Sequence, residues 1–436
     1  MSSLSIWEVL SRCNRGPKIT EKDFDMSVYK ATEKYRKQLD LKYDPKNPVL
    51  HDQEIIDAVF NAGIEFYAEV GTYCMDTGRR VQFTEDEIRT ALQPKFQEYT
   101  IGEGSDSVRL TKRNVGDERE PVVAAGLQTL VYSDEDTMLK ILTECARDRC
   151  VDGIWGGVVP IIENEGEVIA KTPSEVYAYK KNVEIMRKAI DKAGRPGMFI
   201  INNAPTCIGS IAMRDTERGL RHTDPVLSFG ISEMKISWDD LNRAAIAWAS
   251  KDPVHGNHSS VIGGFSGTVE GNVIVSIAGS LQCLMMNRAR TIRTEIHEQS
   301  ILSAVTRREL WIGSIVFQAV TRNANFSLNG GMGDHPAAGP GTSQYLYEAA
   351  AGHILSTACG GHSLGGTRKY FLGNKKNFGT PLESRWMGEV CNGASGIRFD
   401  KATEIIEYLL EKYEPFLQNA PEGEPIEYLY DMDSMK

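Results

Sequence analysis

Val122-Val-Ala-Ala-Gly-Leu127, then the stretch Asp134–Arg149, then Val151-Asp-Gly-Ile-Trp-Gly-Gly-Val-Val159 form the passage on which the fold turns. The outer two runs are apolar and too short for helices, while the segment between them has a helical pattern. Strand, helix and strand in that order make a parallel pair with a helical crossover. The same alternation continues along the chain. Further strand runs are Gly197–Asn203, Glu233–Ile236, Val254–Gly264, Ala289–Ile296, Ala324–Gly330 and Gly361–Gly365. Helical stretches between them include Ser174–Ala193, Trp238–Ser250, Asn272–Asn287, Arg307–Thr321 and Ser343–Ala358. Eight such strands predict an α/β fold, a closed (β/α)₈ TIM barrel, rather than an open sheet. The fifth and eighth runs are broken by glycine and polar residues and are the weakest of the set.

Outward from that core, residues 1–120 read as a helical and irregular extension packed on the barrel. Residues 121–400 read as the barrel, and 401–436 as a C-terminal helix and tail. Within the extension, Asp52–Glu69 has helical apolar spacing, and Thr84 with Glu87 has the form of a capping box. The 436 residues carry a net charge of -10 and are 41% hydrophobic, enough for one large core. The acidic balance argues against nucleic acid or a membrane surface as the main partner. The first residues lack a basic segment followed by an apolar run, so no signal peptide is expected. No run of about 18 apolar residues occurs, so no transmembrane helix is expected. The eight scattered cysteines include no CxxC pair, and free thiols in a reducing cytoplasm are the expectation.

A TIM barrel carries its active site at the C-terminal ends of the strands. The residues falling there are Asn202 and Asn203, Glu233, His255, Asn257 and His258, Glu295 and His297, Asp334 and His335, and His362 with Arg368. Five of the eight histidines fall in or just after strand runs. One reading is a metal site, zinc being the candidate, with Glu233, His258 and His335 or Asp334 converging on the axis. The other is a wet barrel mouth whose polar residues bond loop backbones. Cys359-Gly-Gly-His362 has ligand-like spacing but reads better as a buried thiol and a loop histidine. Arg293, Arg307 and Arg308 could bind an anion, but read better as solvated or paired with acids on neighbouring helices. The stretch Asn329–Gly341 holds five glycines and two prolines, which marks a sharply turning functional loop. Neither GxxxxGK[ST] nor a GxGxxG between strand and helix is present, so nucleotide binding of those types is not expected.

A series of short segments, in order over residues 20 to 415, resembles the monomethylamine:corrinoid methyltransferases of methanogens and related anaerobes. They are Asp23-Phe-Asp-Met26, Phe60-Asn-Ala-Gly-Ile64, Glu69-Val-Gly-Thr-Tyr-Cys-Met-Asp-Thr77, Phe83-Thr-Glu-Asp-Glu-Ile88, Thr172-Pro-Ser-Glu-Val176 and Ala193-Gly-Arg-Pro-Gly-Met198. Beyond them come Ser232-Glu-Met-Lys-Ile236, Gly263-Gly-Phe-Ser-Gly267, Ala338-Gly-Pro-Gly-Thr342, Leu382-Glu-Ser-Arg385 and Met387-Gly-Glu-Val390. The resemblance implies a (β/α)₈ barrel and a homo-oligomer. It implies transfer of a methyl group from an amine to the Co(I) of a corrinoid, a cobalamin carried by a separate protein docking at the barrel mouth. It also implies a pyrrolysine just after Gly-Met at the end of strand three. Here Gly197-Met198 runs into Phe199-Ile-Ile-Asn-Asn203, so that position is Ile201 or Asn202 and the amine-capturing imine is missing. The family's strand-four glutamate is kept as Glu233. Its strand-five acid is replaced by Asn257 beside His258, and the glutamine and tyrosines before Ala-Gly-Pro become Gly333, Asp334 and His335.

The expectation is therefore a pyrrolysine-independent corrinoid methyltransferase with a changed methyl donor, such as a quaternary ammonium. Glu233, His258, Asp334 and His335 are its expected catalytic residues. Ile201, Asn202, Asn203, Asn257 and Gly333 are expected to meet the donor, with aromatic faces from Phe199, Phe265 and Tyr370, and also Phe229 and Phe326. Two other readings stand beside it: a metal-assisted or acid–base barrel without a corrinoid, and a barrel that binds a small ligand and catalyses nothing.

Overall fold

Ala124–Gly126 runs parallel to Gly153–Trp155, which runs parallel to Phe199–Ile201; these are strands one to three. Val226–Phe229, Val254–Val261, Thr291–His297 and Ser327–Gly330 make the next parallel run, strands four to seven. The computed structural model describes residues 5–126, 131–158, 161–162, 166–201, 204–298, 300–301, 303, 305–370 and 375–436. The glycine-broken eighth run is reduced to His362 and Ser363, which bridge Asn329 on one side and Val123 on the other. Four backbone hydrogen bonds of 2.8–3.0 Å hold those two residues between strands seven and one. The chain is a (β/α)₈ barrel with helices added at both ends.

Strand four is not where the sequence places it. The barrel uses Val226–Phe229, whereas Lys235–Ile236 pairs outside the barrel with Thr72–Cys74. Glu233 and Met234 take φ values of 61° and 70°, in the left-handed region, so extended backbone is interrupted where the run was expected to begin. The polar fifth run does form a strand, eight residues long. Its Gly256 is needed there, because a Cβ would come within 2.7 Å of Ala289 and 3.0 Å of Cys283.

The barrel interior is filled from below. Val122, Ala124, Trp155, Phe199, Ile201, Leu227 and Leu364 pack with Ile101 and Leu110 into one apolar cluster. Ile101 and Leu110 come from the hairpin Tyr99–Ile101 and Val108–Leu110. That hairpin sits at the N-terminal ends of the strands, where Gly102 and Glu103 bond the carbonyls of Thr223 and Gly197. The C-terminal ends are thus the open mouth.

Helix Val269–Met286 has the length and mean hydropathy, 1.4, of a membrane span, and 89% of that window is buried inside protein. It is a core helix. Strands five and six cover its inner face, and helix Gln53–Val70 packs on its outer face. Gly63 marks that crossing: a Cβ there would lie 2.4 Å from the Ile277 side chain.

Candidate active site

Strand six reads Thr291-Ile-Arg-Thr-Glu-Ile-His297, and its side chains alternate between the two faces of the barrel wall. Thr294 faces the helix layer, where its hydroxyl meets that of Ser280 at 2.8 Å. Arg293, Glu295 and His297 face the axis at three rising levels. Strand five lies in register beside it, with Asn257 opposite Arg293 and Ser259 opposite Glu295.

Glu295 is the hub. Its Oε1 lies 2.5 Å from Nη2 of Arg293 and 3.3 Å from Nε2 of His335. Its Oε2 accepts from the Ser259 hydroxyl at 3.0 Å and the Asn257 amide at 3.3 Å. Arg293 also reaches Asp334 Oδ2 at 2.6 Å, and its guanidinium lies 5.7 Å from the centre of the Trp155 ring. Burial alone would raise the Glu295 carboxyl, but Arg293 and bonds from His297 and His335 outweigh it and hold the group well below the usual carboxylate range. Asp334 goes the other way: burial pushes it up to about 7 against the pull of Arg293, and ionised Glu295 adds to the rise. The buried arginine thus keeps Glu295 charged, while burial and the Glu295 charge make Asp334 the carboxyl that accepts a proton. Burial drives His335 down to about 3, so it is neutral and donates Nε2–H to Glu295.

Above Glu295 lies a cavity of ≈ 330 Å³ lined by Phe229, Asn257, Ser259, Glu295, His297, His335, Arg368 and Tyr370. The rings of His297, His335 and Tyr370 stand 5.3–6.0 Å apart. Burial pushes the Tyr370 hydroxyl up to about 12, so it stays protonated. The loop after strand seven is tied to the loop after strand eight by Arg368 N–H to Asp334 O at 2.9 Å and Tyr370 N–H to Pro336 O at 2.7 Å.

Of the residues singled out from the sequence, Asn257, Glu295, His297, His335, Arg368 and Tyr370 line this cavity, as does Phe229. Asp334 lies behind it, bonded to Arg293. Gly333 is buried further back, where a Cβ would meet the His353 ring at 2.4 Å. Phe199 and Ile201 belong to the apolar filling below, and Phe326 is buried in the outer core. Phe265 is 38% exposed on the loop after strand five, outside the cavity lining. Asn202 and Asn203 lie outside the described residues.

The expected metal ligands do not converge. His258 has the parity opposite to Asn257 and Ser259, so it faces the helix layer; a Cβ on Gly279 would lie 2.1 Å from its ring. The Glu233 carboxylate is turned to the strand-five loop, where it accepts the Ser266 N–H at 3.3 Å, and burial raises it. Only His335 of the three reaches the cavity. No group of three or more His, Cys, Asp or Glu among the described residues is arranged to hold a metal. His255 bonds Asn329 at 2.9 Å, and His362 bonds backbone at Val122 and Thr111, so both serve the wall. Ser259 escaped the sequence reading, and Arg293, read there as solvated or paired with acids on neighbouring helices, pairs instead with Glu295 on its own strand and Asp334 on the loop after strand seven. The available signal was the charged i, i+2, i+4 face of Arg293, Glu295 and His297.

A family model described as monomethylamine methyltransferase MtmB matches residues 4–436. The chain belongs to the monomethylamine methyltransferase family. It is 30% identical over 443 residues to the monomethylamine methyltransferase MtmB2 of Methanosarcina acetivorans, covering 99% of this chain and 94% of that one. MtmB1 of Methanosarcina barkeri is 29% identical over the same shares. The crystal structure of the Methanosarcina barkeri monomethylamine methyltransferase matches with a TM-score of 0.91 at 27% identity, covering 100% of this chain and 94% of that one. This member of the family has Glu295, with Arg293 and His335, at the centre of its barrel mouth.

Proposed function

We propose that this chain is a methyltransferase that works without pyrrolysine, moving a methyl group from a small cationic methylated amine to the Co(I) of a separate corrinoid protein at the barrel mouth. The observation that carries the reading is Glu295: a carboxylate held ionised inside a small cavity and ringed by Tyr370, His297, His335 and Phe229. A buried anion among aromatic faces suits a positively charged nitrogen. Ile201, at one of the two positions the family resemblance gives to pyrrolysine, is apolar and packed among Trp155, Phe199 and Leu227, and it offers no electrophile to an amine.

Donor chemistry then follows from charge. A nitrogen that already carries a positive charge leaves as a neutral amine: the C–N bond breaks and its electron pair stays on nitrogen. The corrinoid acceptor, when docked, supplies the pair that forms the new bond to the methyl carbon. The substrate's charge at Glu295 disappears during the reaction, so an anion that bound it too tightly would slow the step. Arg293 shares the Glu295 charge at 2.5 Å and moderates that attraction. Ser259 and Asn257 fix the carboxylate's orientation.

The test is methyl transfer from methylamine, dimethylamine, tetramethylammonium and N-methylated amino acids to cob(I)alamin, followed by loss of the cob(I)alamin absorbance. Transfer above background from a cationic donor, lost in Glu295→Gln, supports the reading. Background rates with every donor contradict it.

A further inference from the structure

Arg368 lines the same cavity as Glu295, which acts on it at longer range, yet no close ion pair joins Arg368 to Glu295 or to any other acid among the described residues. Its Nη1 is bonded to the carbonyls of Lys369 at 2.9 Å and Tyr370 at 2.8 Å. Its Nε is buried and makes no hydrogen bond among the described residues. The backbone on either side is pinned, through Asp334 and Pro336, so the guanidinium is carried on a fixed loop. A buried charged donor left unmatched is costly unless a ligand meets it. The unused Nε–Nη2 edge is the planar fork that accepts a carboxylate in two parallel bonds.

The cavity therefore presents two opposite charges across one small volume, an anion at Glu295 and a cation at Arg368. A simple methylammonium ion would answer only the first. We infer that the donor is a zwitterion of the N-methylated amino acid class, its cationic nitrogen at Glu295 and its carboxylate on the free edge of Arg368. The inference rests on the reading of this cavity as the methyl-donor site and names the donor's class. Arg368 is then a specificity-determining residue: it binds the end of the donor that does not react and sets the nitrogen in place.

The test compares N,N-dimethylglycine and N,N,N-trimethylglycine with their primary amides, which keep the shape and lose the negative charge. Binding is measured by calorimetry on the whole protein, wild type and variants. Wild type is expected to bind the acids at least about tenfold more tightly than the amides. Arg368→Met is expected to weaken the acids roughly 100-fold, as for truncating one side of a buried charge pair. It should leave the amides unchanged, and Arg368→Lys should restore part of the preference. Equal binding of acids and amides to wild type, which needs no variant to fold, overturns the proposal. Equal losses for both ligands in Arg368→Met do so as well. Methyl transfer to cob(I)alamin from the amides or simple amines, with no preference for the acids, overturns the Arg368 subsite and leaves the methyltransferase reading standing. Acids that bind through Arg368 but give up no methyl support the subsite and contradict that reading.

Discussion

Arg293 and Glu295, two residues apart on strand six, pair at 2.5 Å inside the barrel, and the same arginine nitrogen holds Asp334 at 2.6 Å. This one cation favours the charged form of both carboxylates, and at Asp334 burial outweighs it. Removing it would leave Glu295 and Asp334 buried together without compensation. Arg293→Met is expected to lower stability by about 3–5 kcal/mol, the range for breaking one side of a buried ion pair. Urea unfolding against wild type checks this; a loss below 1 kcal/mol would mean the pair is not a buried support of the fold.

Five histidines are held neutral by burial: His255, His335 and His353 at about 3, His258 and His362 at about 4. Their folded values lie below the ordinary 6.5, so the unfolded chain binds protons that the folded chain does not. Their contribution to stability is then full above about pH 6.5 and falls as pH drops toward 4, by up to about 1.4 kcal/mol per histidine per pH unit. Asp334 opposes this: its value is raised to about 7, so its contribution is present below about pH 4 and lost as pH rises through 7. Glu348, also pushed up to about 7 by burial, Asp152, pushed up to about 6, and Glu309, raised well above the usual carboxylate range, oppose it too, so the two sets act against each other on acidification. The histidines are therefore read one by one: by NMR none of the five rings should take up a proton between pH 7.5 and 5, and a ring that titrates near 6.5 would contradict its burial in the neutral form.

Tyr370 stands in edge contact with both His297 and His335 at the cavity. Tyr370→Phe is expected to keep donor binding, because the ring face does the work and the hydroxyl stays protonated. Tyr370→Ala should raise KM by roughly tenfold, within the range of a desolvated cation–aromatic contact. Equal losses in both variants would assign the effect to the hydroxyl instead.

His258 faces helix Val269–Met286 and lies against Gly279. His258→Leu is therefore expected to change stability and leave kcat/KM at the wild-type value. Gly279→Ala, which crowds that ring, should cost about 1–3 kcal/mol by overpacking. A fall in kcat/KM for His258→Leu that exceeds the fall for the folded fraction would return this histidine to the site.

The barrel was legible because runs such as Val122–Leu127 and Val151–Val159 are too short for helices and recur with helical stretches between them. Strand four was misplaced because Val226–Phe229 is only four residues, while the apolar Met234 and Ile236 imitate a strand across a left-handed turn. The site was legible where loops announced it: the glycine-rich run after strand seven does bring His335 to the mouth. It was obscured where strand parity decides the outcome. A single residue separates His258, facing the helices, from Asn257 and Ser259, facing the axis, and a shift of one exchanges the faces. The Arg293–Asp334 pair joins residues 41 apart in sequence, so only the folded barrel reveals that Arg293 is buried and paired.

The central claim is that Glu295 holds a cationic methyl donor for transfer to a corrinoid. The most direct measurement is the single-turnover rate of cob(I)alamin methylation from a cationic N-methylated donor, by wild type and by Glu295→Gln, each shown to be folded. The account predicts transfer above the protein-free rate in wild type and a fall of roughly 100-fold in the variant, as for loss of a buried charge contact. Transfer that is unchanged in Glu295→Gln, or absent from wild type with every cationic donor, would contradict it.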